Sequence, residues 1–159
     1  KTVIRVAVIT VSDRASRGEY RDRSGPLIEQ MLKDAGFNGL VVQRQVVPDE
    51  AAQLRDAFKD HMDKDIIITT GGTGLAPRDI TPEATAEFCE RAVPGIAEYL
   101  RARSFEQTPN AALSRAEAGI AGETLIINFP GSEKGAVFCA EVISEILEHA
   151  LRMMLGKVH

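Results

Sequence analysis

Apolar residues follow two rhythms along this chain. Val3 to Val11 is almost continuously apolar, broken only by Arg5 and Thr10, as in a strand covered on both faces in a parallel sheet. The segments Leu40 to Val47, Asp65 to Thr70 and Glu123 to Phe129 repeat that pattern. Between them the period lengthens to that of a helix with one apolar stripe. Ile28, Met31, Leu32 and Ala35 follow Pro26 until Gly36; Leu54, Phe58 and Met62 follow Glu50; Ala140, Ile143, Leu147, Ala150 and Met154 follow Ala136, as a seam for the core or for a neighbouring subunit. A fourth helix is expected from Thr81, capped by that residue, with Pro82 at its first position and Glu83 in its first turn, running toward Cys89 and Arg91. After a break at Pro94-Gly95, Ile96 to Arg103 reads as a further helical piece, whose Glu98, Arg101 and Arg103 form a salt-bridged surface or line a site. Ser104 to Ala118 shows no clear period. Strands alternating with helices predict an α/β fold, a single three-layer αβα domain over residues 1–159 with a mostly parallel sheet and right-handed crossovers. The first strand is expected inside that sheet.

Ligands of open α/β sheets bind outside the carboxyl ends of the strands. The third strand ends in Thr70, Gly71, Gly72, Thr73 and Gly74, and Arg78-Asp79 precedes the next helix. Glycine reaches positive φ without steric cost and lets a ligand approach the main chain, so several N–H groups can converge on one anion. The expected ligand is a phosphate. After the fourth strand, Pro130-Gly131-Ser132-Glu133-Lys134-Gly135 offers small residues, a hydroxyl and a lysine before a helix start, which also suits an anion. Neither junction carries the GxxxxGKS/T pattern of a Walker A loop. Ser12 to Pro26, with Ser12 and Asp13 at its start, is a polar loop of mixed charge and functional length. Asp49, at a strand end and a helix start, is either a helix N-cap or a site residue.

Composition narrows the field. At 159 residues with 44% hydrophobic content, one core suffices, burying roughly 70% of the unfolded surface. A net charge of -4, 5% aromatics and no tryptophan argue against nucleic-acid binding and base stacking, so any phosphate site is local. Cys89 and Cys139 sit in predicted helices without CxxC spacing and read as reduced core residues. His61, His149 and His159 are scattered, and zinc is not expected. The chain begins at Lys1 rather than Met, in keeping with residues upstream of it. No apolar run approaches membrane-spanning length, so no membrane partner is expected and the cytoplasm is the default. A dinucleotide-dependent oxidoreductase is disfavoured, because the first strand ends in Val11-Ser12-Asp13-Arg14 rather than GxGxxG.

Thr69 to Thr85 reads Thr-Thr-Gly-Gly-Thr-Gly-Leu-Ala-Pro-Arg-Asp-Ile-Thr-Pro-Glu-Ala-Thr. With Ser12-Asp13-Arg14-Ala15-Ser16, Tyr20-Arg21-Asp22, Val47-Pro48-Asp49-Glu50, Pro94-Gly95 and Asn128-Phe129-Pro130-Gly131-Ser132, this ordered set resembles the molybdenum cofactor biosynthesis family, the MogA/MoaB-type molybdopterin adenylyltransferases related to the gephyrin G domain. The resemblance covers essentially the whole chain. It implies the molybdopterin-binding-like fold, a homotrimer, and adenylylation of molybdopterin with ATP and Mg2+, releasing pyrophosphate and leaving adenylyl-molybdopterin for hand-over to a molybdate-inserting enzyme. By motif, Asp49 and Asp79 match the family's two catalytic aspartates. The chemistry agrees: joining two anionic groups requires charge neutralisation and in-line positioning rather than a covalent nucleophile. Asp49 and Asp79 are expected to hold Mg2+ or its waters. Ser12, Asp13, Thr70, Gly71, Gly72, Thr73, Gly74, Arg78, Pro130, Gly131, Ser132 and Lys134 are expected to bind phosphate or substrate, with pterin and ATP unassigned between the two loops. The alternative is a paralogue that binds molybdopterin, or a trimeric scaffold, without adenylyltransferase activity. The short tail after the second junction leaves MogA-type and MoaB-type both open.

Overall fold

Each apolar run expected as a strand forms one in the structure, a computed structural model that describes residues 3–37 and 39–156. In chain order the elements are β1 (Ile4–Val11), α1 (Asp13–Ser16), α2 (Ser24–Asp34), β2 (Leu40–Val47), α3 (Ala51–Asp60), β3 (Ile66–Thr70), α4 (Thr81–Phe88), β4 (Arg91–Ala92), α5 (Pro94–Ser104), a 3-10 turn (Pro109–Leu113), β5 (Ala118–Ala121), β6 (Thr124–Phe129) and α6 (Glu133–Met154). Among the described residues, six strands make one sheet in the order β2-β1-β3-β6-β5-β4. The first four are parallel, whereas β5 pairs antiparallel with β6 and β4 antiparallel with β5.

The two sides of the sheet explain the unbroken apolar runs. Along β1, Val6 and Val8 face a core shared with α2, α5 and α6, while Ala7 and Ile9 face a second core built with α3 and α4. Both sets are fully buried, so no position from Val6 to Ile9 has reason to be polar. Each buried Val, Ile or Phe stabilises this arrangement by about 1.5–3 kcal/mol relative to exposure. Edge strand β2 differs: Val41 and Val46 stay exposed while Val47 is buried. On the α3/α4 side, Phe58 and Phe88 close the layer with ring centroids 5.2 Å apart.

Several expectations are corrected. The antiparallel pair β4 and β5 falls where no strand was expected; two residues and Ala-Gly-Ile-Ala carry too little pattern to read. Pro94 opens α5 rather than merely breaking a helix, since the first helical turn tolerates proline. Thr81 is not a cap: Ile80 holds that position, and the Thr81 hydroxyl donates to the Gly71 carbonyl at 3.0 Å. Cys89 lies just past α4, while Cys139 is buried within α6. Lys1 and His159 lie outside the described residues.

Chain direction places the site. From β1 the chain moves to β2 on one side and then crosses back to β3 on the other, so the topology switches between β1 and β3. At such a point the outgoing loops diverge and leave a crevice.

Candidate active site

Four strand ends supply the crevice: Ser12-Asp13 after β1, Pro48-Asp49 after β2, Gly71 to Asp79 after β3 and Pro130 to Lys134 after β6. At Gly71 and Gly72 the chain takes φ values of +104° and +71°, which L side chains avoid. Space demands glycine there as well. A Cβ on Gly71 would overlap the Val11 carbonyl, and one on Gly72 would overlap the Thr81 hydroxyl and lie 3.1 Å from Asp49 Oδ1. The Asp49 carboxylate therefore rests against the glycine loop.

Asp49 does not cap α3, whose N-cap is Glu50. Instead it makes a reciprocal pair with Asp13. The Asp13 N–H donates to Asp49 Oδ2 at 2.9 Å, and the Asp49 N–H donates to Asp13 Oδ1 at 3.0 Å. Arg78 spans the outside of this pair, donating to Asp13 Oδ2 at 2.7 Å, to Glu50 Oε2 at 2.6 Å and to the Asp49 carbonyl at 3.3 Å. Asp79 closes its own turn: its Oδ2 accepts from the Ala76 N–H at 3.0 Å, and its N–H donates to the Ala76 carbonyl at 2.9 Å.

Charge is unevenly compensated across these groups. The Arg78 hydrogen bond holds the Asp13 carboxyl below the usual carboxylate range. Burial pushes Asp49 the other way, reinforced by the nearby charges of Asp13 and Asp79 and opposed by its backbone hydrogen bond from Asp13. The guanidinium is thus engaged by Asp13 and Glu50, and among the hydrogen bonds of the described residues it makes none to the side chain of Asp49 or Asp79. Among the described residues no group of three or more His, Cys, Asp or Glu is disposed to hold a metal. Two carboxylates that keep one oxygen each beyond their backbone bonds suit Mg2+, which prefers few protein ligands, retained water and substrate phosphates.

The second loop is built differently. Ser132 caps α6, its Oγ accepting from the Gly135 N–H at 3.1 Å. Thr70, buried, spends its hydroxyl on the Pro130 carbonyl at 2.7 Å and ties the two loops together. Ser24 adds a bond to the Gly131 carbonyl at 3.4 Å. Ser132 and Lys134 edge a cavity of about 230 Å³ whose walls include Ala97, Leu100, Ala116 and Phe138.

Most of the expected site residues converge here, with distinctions. Asp13, Asp49, Arg78 and Asp79 gather around Gly71, Gly72, Thr73 and Gly74, and Thr73 is buried. Ser12 is used locally as the cap of α1, accepting from the Ala15 N–H at 3.1 Å. Arg101 lines the cavity and donates to the Ala116 carbonyl at 2.8 Å. Arg103 belongs to a surface cluster with Tyr99 and Glu145. Arg115 was not anticipated: its side chain reaches the Gly74 and Asp79 carbonyls at 2.7 Å each. A lone arginine in the aperiodic segment before β5 gives no signal by itself.

A family model described as a probable molybdopterin binding domain matches residues 7–149. The chain is 39% identical over 156 residues to a molybdopterin adenylyltransferase of Helicobacter pylori (strain J99), covering 96% of this chain and 89% of that protein. Identity to the Drosophila melanogaster molybdenum cofactor synthesis protein cinnamon is 41% over 154 residues, which is 95% of this chain and 26% of that longer protein. The fold matches a crystal structure of the molybdopterin biosynthesis enzyme MoaB from Thermus thermophilus with a TM-score of 0.88, at 44% identity and 98% coverage of both chains.

Proposed function

Since the chain belongs to the molybdopterin-binding domain family of molybdenum cofactor biosynthesis, we propose that it adenylylates molybdopterin with ATP, releasing pyrophosphate and leaving adenylyl-molybdopterin. One observation carries this reading: Asp49 and Asp79 lie beside a bare-backbone loop at the topological switch, while Arg78 is engaged by Asp13 and Glu50. A paralogue that only binds the pterin, or serves as a scaffold, is not favoured. Both aspartates are present, and the Helicobacter pylori relative that matches most of the chain is an adenylyltransferase.

In the reaction a terminal phosphate oxygen of molybdopterin attacks the α-phosphorus of ATP. A new P–O–P bridge forms, the bond from the α-phosphorus to the bridging oxygen breaks, and pyrophosphate leaves with the electron pair. Two anions must be brought together, so positioning and charge neutralisation supply most of the acceleration. Asp49 and Asp79 would hold Mg2+, and the chemistry that ion would supply is positive charge against the phosphates. The backbone of the Gly71 to Gly74 loop beyond the Gly71 N–H, which pairs with Phe129, and Thr73 then serve the nucleotide phosphates. Ser132 and Lys134 serve the pterin phosphate, and the apolar cavity behind them receives the flat ring system; its volume of about 230 Å³ and its Leu100 and Phe138 walls support this division. A homotrimer, a cytoplasmic setting and hand-over to a molybdate-inserting enzyme complete the reading. Phe105 and Leu113, each 52% exposed, support an assembly that covers them. Among the described residues no helix is long and apolar enough to cross a membrane.

The test is pyrophosphate release from ATP and Mg2+ that depends on molybdopterin. Asp79→Asn preserves shape and removes charge, so it should bind molybdopterin normally and lose turnover by on the order of 10²-fold or more. Turnover within a few-fold of the parent would remove Asp79 from the metal role.

A further inference from the structure

Arg115 lies 36 to 44 positions beyond the loop after β3, yet three of the four hydrogen bonds it donates go there. Its N–H donates to the Thr73 carbonyl at 2.9 Å. The Nε donates to the Gly74 carbonyl and Nη2 to the Asp79 carbonyl, both at 2.7 Å, and Nη1 pairs with Glu83 of α4. A single residue thus grips three carbonyls and both ends of the turn from Gly74 to Asp79. Only a guanidinium presents several donors in one rigid plane; an ammonium is a point charge on a flexible stem.

The grip has a directional consequence. In a trans peptide the C=O and the following N–H point in opposite directions, and the described chain has no cis bond. Fixing the Thr73, Gly74 and Asp79 carbonyls toward Arg115 therefore turns the N–H groups of Gly74, Leu75 and Ile80 away from it. The backbone that carries the Asp79 carboxylate is fixed by the same contacts. The pair with Glu83 contributes little by itself, because the Glu83 side chain is 63% exposed.

Resting on the adenylyl transfer proposed above, we propose that Arg115 is a positioning residue for that reaction: from behind the loop it sets the direction of the anion-binding N–H groups and the placement of Asp79. Arg115→Ala should lower kcat by about 10²-fold, the scale on which a displacement of an ångström acts. It should also raise the Mg2+ concentration for half-maximal activity by about ten-fold while leaving KM for molybdopterin within about three-fold. Arg115→Lys keeps the charge and should recover only a minor part. Glu83→Gln removes the outer pair alone and should stay within about three-fold of the parent.

Hydrogen exchange on the ligand-free full-length chain supplies a readout independent of turnover. Amides 73–80 should exchange faster in Arg115→Ala and not in Glu83→Gln. Parent-like kinetics in Arg115→Ala would overturn the proposal, as would full rescue by lysine or a loss explained by the folded fraction alone with an unchanged Mg2+ requirement. If the parent protein itself releases no pyrophosphate, the reaction assignment fails. In that case unchanged exchange over 73–80 overturns the role of Arg115, and faster exchange confined to those amides sustains its hold on the loop.

Discussion

The loops that follow β3 and β6 leave neighbouring strands paired in register, Thr70 beside Phe129, and both place small residues before a helix. They are stabilised differently. The second is ordered at its helix start by its own Ser132, which caps α6, with single bonds from Thr70 to the Pro130 carbonyl and from Ser24 to the Gly131 carbonyl. The first is held from outside, by the Thr81 hydroxyl on Gly71, by Arg115 on Thr73, Gly74 and Asp79, and by the Asp49 carboxylate packed on Gly72. The difference follows from which side chains are at hand. Beyond Asp79, which closes its turn on the Ala76 N–H, the first loop is glycine-rich and its carbonyls are met by Thr81 and Arg115, whereas the second carries the serine that caps the helix it leads into.

The most damaging way to break this contrast is Gly72→Val. With φ at +71° and a Cβ that would meet Thr81 and Asp49, the first loop cannot keep its course. Pyrophosphate release should fall below detection, and the melting temperature should drop by roughly 5–10 °C. Calorimetry that returned parent-like ligand affinity would show that the loop does not meet the ligand. A milder change at the second loop separates the two roles. Lys134→Met removes one cation beside the cavity and should raise KM for molybdopterin about ten-fold, with kcat within about three-fold. A rise in KM for ATP instead would exchange the loops' assignments.

The smallest expected effect is a gain. Burial first, and then Asp13 and Asp79, raise the pKa of Asp49 above its unfolded value. Asp49 therefore favours folding only when protonated. That contribution is complete below the ordinary carboxylate range and is lost as pH rises through the raised value. At neutral pH the charge is a burden, so Asp49→Asn should raise the melting temperature by ~2 °C while abolishing turnover. The gap between variant and parent should close as pH falls. Activity of the parent should decline over the same interval, because a cation needs the ionised carboxylate.

What could be read from the chain divides along the same line. The β-branched runs of β1 and β3 and the glycines at 71 and 72 announce themselves, because burial on two faces and positive φ restrict residue type at each position. Motif order drew attention to Asp49 and Asp79, and the fold places both carboxylates against the glycine loop. Arg115 and the cavity were not legible: an arginine's partners are chosen by tertiary geometry, and the aperiodic stretch from Ser104 to Ala118 becomes a wall only when α5 and α6 close around it. The failed expectation at Thr81 has the same origin. A threonine before Pro82 looks like a cap, but the Gly71 carbonyl lies within reach and accepts its hydroxyl's hydrogen bond. Among the described residues β4 pairs with β5 alone and β5 joins it to β6, so their short sequences need no strong pattern.

The pairing of β3 with β6 also acts as a ruler. Gly71 N–H donates to the Phe129 carbonyl at 3.2 Å, and a Cβ on Gly131 would lie 3.2 Å from the Gly71 Cα. The offset between the two loops is thus set by main-chain hydrogen bonding at the usual inter-strand spacing of about 4.8 Å. Rotamers do not tune it. Changing that separation would require a slip of register, about 3.3 Å per residue, which would turn every buried side chain of the strand to the wrong face. Relatives of this fold are therefore free to alter what each loop grips while the span between the two grips stays constant.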